Sequence, residues 1–302
     1  MWSQKKQEYQ MITIDSGEYS GLACRWISNG QVRLAVTTER GPRAMFFGWQ
    51  NGPNLFAELP DIAIPSDNGP YHLLGGHRLW HAPEWSKRTY WPETQPITAE
   101  PRTNGIKVTL DSDGAHIEKS LSFDMDPELP VVRVTHMLRN MGLWPVELAP
   151  WAITQCRLGG TVILPQPTEP ADSESLLPNQ RYSFWPYTNF ADGRITFGHS
   201  VTLLHAKAAP PTKLGYRNTR GWAGYWLDGT LFSKRFDPQL AANHPDYGCN
   251  CECYCNDRFV EVETLGALAV LKPGAYASHV ETWQLRANVP EPVSEAAALT
   301  LL

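Results

Sequence analysis

The sequence predicts an all-β protein, largely antiparallel and built as one large sandwich. Apolar residues almost never recur with helical spacing, short alternating apolar and polar segments run the length of the 302 residues, and clusters of Pro and Gly separate them. The first such segments are Val32 to Thr37, Ala44 to Trp49, Ile106 to Asp111 and His116 to Asp124. Val131 to Arg139, Val146 to Gln155, Ile195 to Phe197, Thr202 to His205 and Gly224 to Leu227 follow. Thr230 to Phe236, Cys249 to Asn256, Phe259 to Leu265 and Ser278 to Leu285 complete the series. No crossover helix repeats between them, which excludes a parallel α/β sheet and leaves a sandwich.

The stretches richest in Pro and Gly are expected to be long loops: Asn51 to Pro70, Pro83 to Pro101, Pro165 to Tyr187 and Asp237 to Gly248. Long loops on a β scaffold commonly carry function. With no linker and no internal repeat, residues 1–302 form a single domain, its core spanning about 20–286 and its tail, 287–302, held loosely.

A hydrophobic fraction of 42% is ample for a core, and a net charge of -5 without a basic stripe argues against nucleic-acid binding. No apolar stretch is long enough for a membrane span. The segment from Met1 to Lys6 is polar, unlike a signal peptide, so the expectation is a cytoplasmic protein whose six cysteines are reduced. Twelve Trp and eleven Tyr exceed what a core needs, and such rings pack on the apolar faces of sugars while their polar edges stay wet.

Three clusters carry candidate chemistry. The first, Gly75-Gly76-His77-Arg78-Leu79-Trp80-His81-Ala82-Pro83-Glu84-Trp85, reads as a loop. Its paired glycines would let backbone approach a ligand, and Arg78 offers paired donors to hydroxyls or a carboxylate. The second is a hairpin about Asp257-Arg258. A two-residue turn sets Tyr254 opposite Glu261 and Glu252 opposite Glu263, so alternation puts all four on one sheet face. Carboxylates so crowded repel, which calls for a function and should raise at least one pKa. The same alternation puts Cys249, Cys251, Cys253 and Cys255 on the opposite face, spaced too far along one strand to wrap a zinc, so they are read as core. The third cluster, on a late strand, sets His279, Glu281 and Trp283 on one face. The segment Arg220 to Trp226, with Trp222, adds rings and, with Lys234, a cation to a sugar platform.

The motifs GGHRLWHAPE, CECYCNDRFVEVETLG and LKPGAYASHVETWQL resemble the DUF4380 family, which is similar in outline to aldose 1-epimerases and hexose-phosphate mutarotases. The resemblance spans about residues 20–286 and implies a galactose-mutarotase-like β supersandwich. It assigns Glu263, on the strand before the Pro273-Gly274 turn, as general base and Arg78 as a substrate ligand. Mutarotases also carry an acid His on a central strand after an Asn-x-Gly segment. Here Asn140-Met141-Gly142 leads to Leu148-Ala149-Pro150-Trp151 with no His, so His77 or His81 is expected to supply the acid.

Three functions follow as expectations: a sugar mutarotase or epimerase-like enzyme with Glu263 as base and His77 or His81 as acid; a non-catalytic carbohydrate-binding or sensing protein; and a carbohydrate lyase or metal-assisted hydrolase on the same scaffold. The partner is a mono- or oligosaccharide or sugar derivative, bound by Arg78, Trp80, Glu84, Glu252, Tyr254, Glu261, Trp222, Lys234 and Glu281. No cofactor and no metal ion is assigned.

Overall fold

The computed structural model describes residues 11–301; the reading of Met1 to Lys6 lies outside them. In chain order the elements begin with β1 (Thr13–Tyr19), β2 (Leu22–Ser28), β3 (Val32–Thr37), β4 (Arg43–Trp49), β5 (Glu58–Ile64), β6 (Tyr71–Ala82) and α1 (Ser86–Thr89). Next come β7 (Ile97–Arg102), β8 (Gly105–Leu110), β9 (Ile117–Met125), β10 (Val131–Asn140), β11 (Val146–Cys156), β12 (Thr161–Pro165), β13 (Tyr182–Phe184) and β14 (Ile195–Phe197). The last are β15 (Val201–His205), β16 (Thr212–Tyr216), β17 (Trp222–Leu227), β18 (Thr230–Phe236), α2 (Pro245–Gly248), β19 (Cys251–Cys255), β20 (Val260–Leu265), β21 (Ala269–Leu271), β22 (Tyr276–Arg286) and α3 (Glu295–Leu299).

These strands form two antiparallel sheets. The first runs β1-β2-β3-β4-β6-β11-β20-β19-β16-β13, with β5 and β21 paired at its side, and the second runs β14-β15-β12-β17-β18-β22-β10-β9-β8-β7. The main core lies between them. Phe47, Phe56, Phe232 and Trp283 meet there with ring centroids 5.5–6.2 Å apart, and Cys251, Cys253 and Cys255 are buried beside them as the hairpin alternation requires. No helix among the described residues is long and apolar enough to cross a membrane.

The predicted strands are all present with ends moved by a residue or two, Cys249 to Asn256 being shortened to β19; the predicted loops Pro83–Pro101, Pro165–Tyr187 and Asp237–Gly248 hold α1 with the start of β7, β13 and α2, and further readings are corrected. The segment Gly75–Ala82 is not a loop; it is the second half of the twelve-residue strand β6. Both glycines have left-handed backbone (φ 87° and 74°), and an added Cβ would strike the carbonyl oxygens of Ala57 and Ala44 at 1.9 and 2.1 Å. The paired glycines therefore serve close strand packing. The Asn51–Pro70 stretch contains β5, paired to β6 across an irregular register. The tail is also tied down: α3 buries Ala298, and Glu295 accepts backbone N–H bonds from Ser200 and Val201.

Candidate functional site

The central strands of the first sheet present one face to the core and the other away from the second sheet. Their register on the outward face can be followed strand by strand. Arg78 on β6 pairs with Ile153 on β11, which pairs with Glu263 on β20, Glu252 on β19 and Gly215 on β16. One row along lie Gln155, Glu261, Tyr254 and Lys213. Neighbouring strands are ~4.8 Å apart and successive rows on a face ~6.6 Å apart, so these polar groups form a compact patch. The turn that sets this register is closed by Asn256, whose side-chain oxygen accepts from the backbone N–H groups of Arg258 and Phe259.

Above the patch opens a cleft of about 770 Å³, lined by Arg78, Trp80, Glu84, Tyr90, Trp151, Trp185, Tyr187, Lys213, Tyr254, Phe259 and Glu261 among others. That volume suits a small organic ligand. Trp80 and Trp151 pack edge-on at 5.5 Å, and the Lys213 ammonium sits 4.6 Å from the centroids of both Trp151 and Trp185.

Lys213 organises the carboxylates. Its Nζ lies 2.8 Å from Glu252 and donates to Glu263 at 3.1 Å, while Trp151 Nε1 donates to the same Glu263 oxygen at 2.7 Å. Both glutamates are fully buried beneath the cleft floor, and Glu263 Oε1 has no partner. Burial alone would push the Lys213 amine down, but Glu252 and Glu263 outweigh it and hold it well above the usual lysine range. Burial, with the charge of Glu263, pushes Glu252 well up despite Lys213. Glu261 accepts from Arg78 and from Gln155, each at 3.0 Å. Burial and then the neighbouring Glu263 charge raise Glu261 to about 6, against the pull of Arg78 and Lys213. Asp246 approaches Glu252 from α2, where it and Tyr247 have left-handed backbone (φ 51° and 63°); burial raises this carboxyl too.

Arg78, Trp80, Glu84, Tyr254 and Glu261 thus line one cleft, with Glu252 and Glu263 directly below. The other assigned residues do not join them. His77 and His81 are on the opposite face of β6, buried between the sheets. His77 faces Thr154 (2.8 Å) and His136 (2.7 Å), and His81 lies 4.0 Å from Asp113. With a β-sheet between them and the cleft, neither can protonate a ligand held over Glu263, and their assignment as general acid is corrected. Burial also pushes both well below the ordinary histidine range. Lys234 and Glu281 are interior as well, 2.8 Å apart, with the Lys234 amine donating to the Val262 carbonyl at 2.9 Å. Trp222 packs with Ile163 and Leu231 in a satellite core of the second sheet.

Nε2 of His77, Nε2 of His136 and a Glu281 oxygen lie within 4.8 Å of one another and form a possible metal ligand set. The group closes on itself instead. His136 uses Nδ1 on the His279 carbonyl at 3.0 Å and Nε2 on His77, while Glu281 takes Lys234, Thr264 and the Trp283 indole (2.7 Å). An ammonium already bound to the carboxylate would repel a second cation.

Sequence reasoning missed Lys213, Gln155, Trp151, Trp185, Tyr187 and Asp246. Beside Lys213 on the same face, Gly215 lies opposite Glu252: a Cβ there would meet Glu252 Cγ at 3.1 Å, so the glycine makes room for that side chain.

Solved structures supply the comparison. A galactose mutarotase related enzyme from Lactobacillus acidophilus superposes with a TM-score of 0.53 at 9% identity, covering 89% of this chain and 99% of its own. The chain has the galactose mutarotase-like fold. A galactose mutarotase-like protein from Clostridium acetobutylicum gives 0.52 at 10% identity, over 92% of this chain and 99% of its own. A candidate aldose 1-epimerase from Klebsiella pneumoniae gives 0.60 at 12%, over 96% and 85%. No family model and no curated protein sequence matches, so the likeness to the DUF4380 family rests on the quoted motifs alone. Within this mutarotase-like sandwich the cleft lies on the outward face of the first sheet.

Proposed function

We propose that the cleft binds a carbohydrate and exchanges its anomers, Glu263 taking the proton of the anomeric hydroxyl while Glu261 gives one to the ring oxygen as the ring bond opens, and the reverse closing the ring on the other face. The observation that carries this reading is the joint presence, about one sheet face, of indole rings lining the cleft and a row of carboxylates held by Arg78 and Lys213. Ring opening needs a base on the anomeric hydroxyl and an acid on the ring oxygen. Glu263 keeps the role of base. Glu261 replaces the histidines as acid, because a carboxyl raised to about 6 carries a proton for part of the time near neutral pH. The two side chains are two residues apart on one strand, ~6.6 Å along it, a spacing that suits groups working on two oxygens of one sugar.

A second reading keeps binding and drops catalysis. It is favoured by the complete burial of Glu263 and by Lys213 and Trp151, which already occupy one of its oxygens. One experiment separates the two: titrate monosaccharides while following both protein amide shifts and the rate of anomer interconversion by NMR. The enzyme reading expects binding, faster exchange, and loss of exchange but not of binding in Glu263→Gln. Binding without acceleration leaves the second reading, and no binding to any monosaccharide refutes both.

A further inference from the structure

We propose that the preferred ligand of this cleft is an amino sugar, a monosaccharide bearing a protonated amine, rather than a neutral, N-acylated or phosphorylated one. The inference rests on the carbohydrate reading above and adds the charge of the ligand. It comes from counting what is paired. Glu84, Asp257 and Glu261 line the cleft, Glu252 and Glu263 lie under its floor, and Asp61 stands at the rim. Against these six carboxylates stand Arg78, Lys213 and Arg258. Each cation has a carboxylate partner: Arg78 has Glu261 at 3.0 Å, Lys213 has Glu252 and Glu263 at 2.8 and 3.1 Å, and Arg258 has Asp61 at 2.9 Å, although Nε and Nη1 of Arg78 make no hydrogen bond. Among the described residues that line the cleft, a phosphate or carboxylate on a ligand finds no cation without a carboxylate partner.

The carboxylates outnumber the cations. Glu263 Oε1 is buried without a hydrogen-bond partner, and so is Gln155 Oε1, an acceptor beside Glu261. A buried acceptor left unpaired is costly, and one charge-bearing donor would satisfy several such atoms. Burial, and then repulsion from Glu263, hold both Glu252 and Glu261 above the usual carboxyl range. The walls suit an organic cation more than a bare ion. Trp80, Trp151, Trp185, Tyr187 and Tyr254 line the cleft, and Lys213 already fills the point between Glu252 and Glu263 where a metal ion would sit.

Binding an ammonium here displaces protons. The groups that face Glu261 are Arg78, Gln155, Lys213, Tyr254, Glu252 and Glu263. As pH rises through about 6, Glu261 loses its proton and becomes the better partner for a cation. Affinity for the amine therefore increases across that range, until the ligand's own amine begins to deprotonate.

The test is a calorimetric and NMR titration of the full chain with glucosamine, N-acetylglucosamine, glucose and glucose 6-phosphate at pH 5.5 and 7.0, repeated with calcium chloride alone. Expected are binding of glucosamine at least about tenfold tighter than of the other three at pH 7.0, a smaller preference at pH 5.5, and proton release on binding. Equal affinity for glucose and glucosamine overturns the inference and leaves the carbohydrate reading standing. Tightest binding of the phosphate ester overturns it too, as does calcium shifting the same amide resonances as glucosamine. No binding by any of the four sugars refutes both.

Discussion

Replacing Lys213 with Met tests whether this residue is what allows Glu252 and Glu263 to face each other. The two are directly opposed on β19 and β20, fully buried, and share the one ammonium. Opposed side chains on neighbouring antiparallel strands have Cβ atoms ~5 Å apart. Two negative charges at ~5 Å repel by about 3 kcal/mol at an effective dielectric of ~20. Methionine keeps the stem that packs on Trp151 and Trp185, so the lost ring contact adds only about 1 kcal/mol. The repulsion exists only while both groups are charged. In the variant the shared pKa of the pair is raised further, and a carboxyl raised on folding contributes stability at low pH that is lost as pH rises above the unfolded value, near 4.3. Urea unfolding of both proteins, followed by circular dichroism from pH 5 to 8, should give a difference of about 1 kcal/mol at pH 5, growing to about 4 at pH 8. A penalty that does not change with pH, or no penalty at pH 8, would refute the view that Lys213 compensates this pair.

Three further outcomes are expected. His77→Ala removes the partner of His136 and opens a cavity beside Trp283, whose ring centroid lies 4.6 Å away; it should cost about 3 kcal/mol in urea unfolding yet leave sugar titration curves unchanged, whereas a catalytic His77 would abolish anomer exchange in a folded protein. Acid should destabilise the interior in two steps. His279 is held down to about 3, mainly by burial, so its contribution is complete above pH 6.5 and is lost as pH falls toward 3. Glu281, lowered to about 2 by Lys234 and the nearby histidines against the effect of burial, loses its contribution between pH 4.5 and 2, and an unfolding free energy flat from pH 7 to 3 would contradict both. Gly76→Ala should fail to give a cooperative unfolding transition, because its Cβ would meet the Ala44 carbonyl oxygen at 2.1 Å where β6 packs on β4; a folded variant with normal stability would show that the backbone gives way there.

The hairpin was legible because it has a strong local signal. Asn256-Asp257-Arg258 fixes a two-residue turn, and once the turn is fixed every pairing from Cys251–Thr264 to Tyr254–Glu261 follows. The face was legible too: Cys251, Cys253, Cys255, Val260 and Val262 form one apolar side, so the glutamates had to lie on the other. Lys213 had no such context. Its strand has five residues, it follows two prolines, and nothing within it says that Gly215 and Lys213 share a face with the glutamates two strands into the sheet.

The histidines were misplaced for a different physical reason. Alternation tells which residues share a face, but it names the core face only when one side is apolar. On β6 the two sides are His77-Leu79-His81 and Arg78-Trp80-Ala82, and on β22 they are His279-Glu281-Trp283 and Ser278-Val280-Thr282. In both strands the side with more ionisable groups turns inward. It can do so because partners arrive from other strands: Thr154 and His136 for His77, Lys234 and Thr264 for Glu281, and Lys119 and Asp113 near His81. Each partner is distant in sequence and unremarkable alone. A buried ionisable group needs a partner, and only the assembled sheets supply it, so the inward face of β6 and β22 is decided by β9, β10, β11, β18 and β20. The same logic applies to two buried ion pairs of the molecule. Both hold carboxylate, ammonium and indole, but Glu281 has its ion pair and hydrogen bonds complete, while Glu263 keeps one oxygen without a partner.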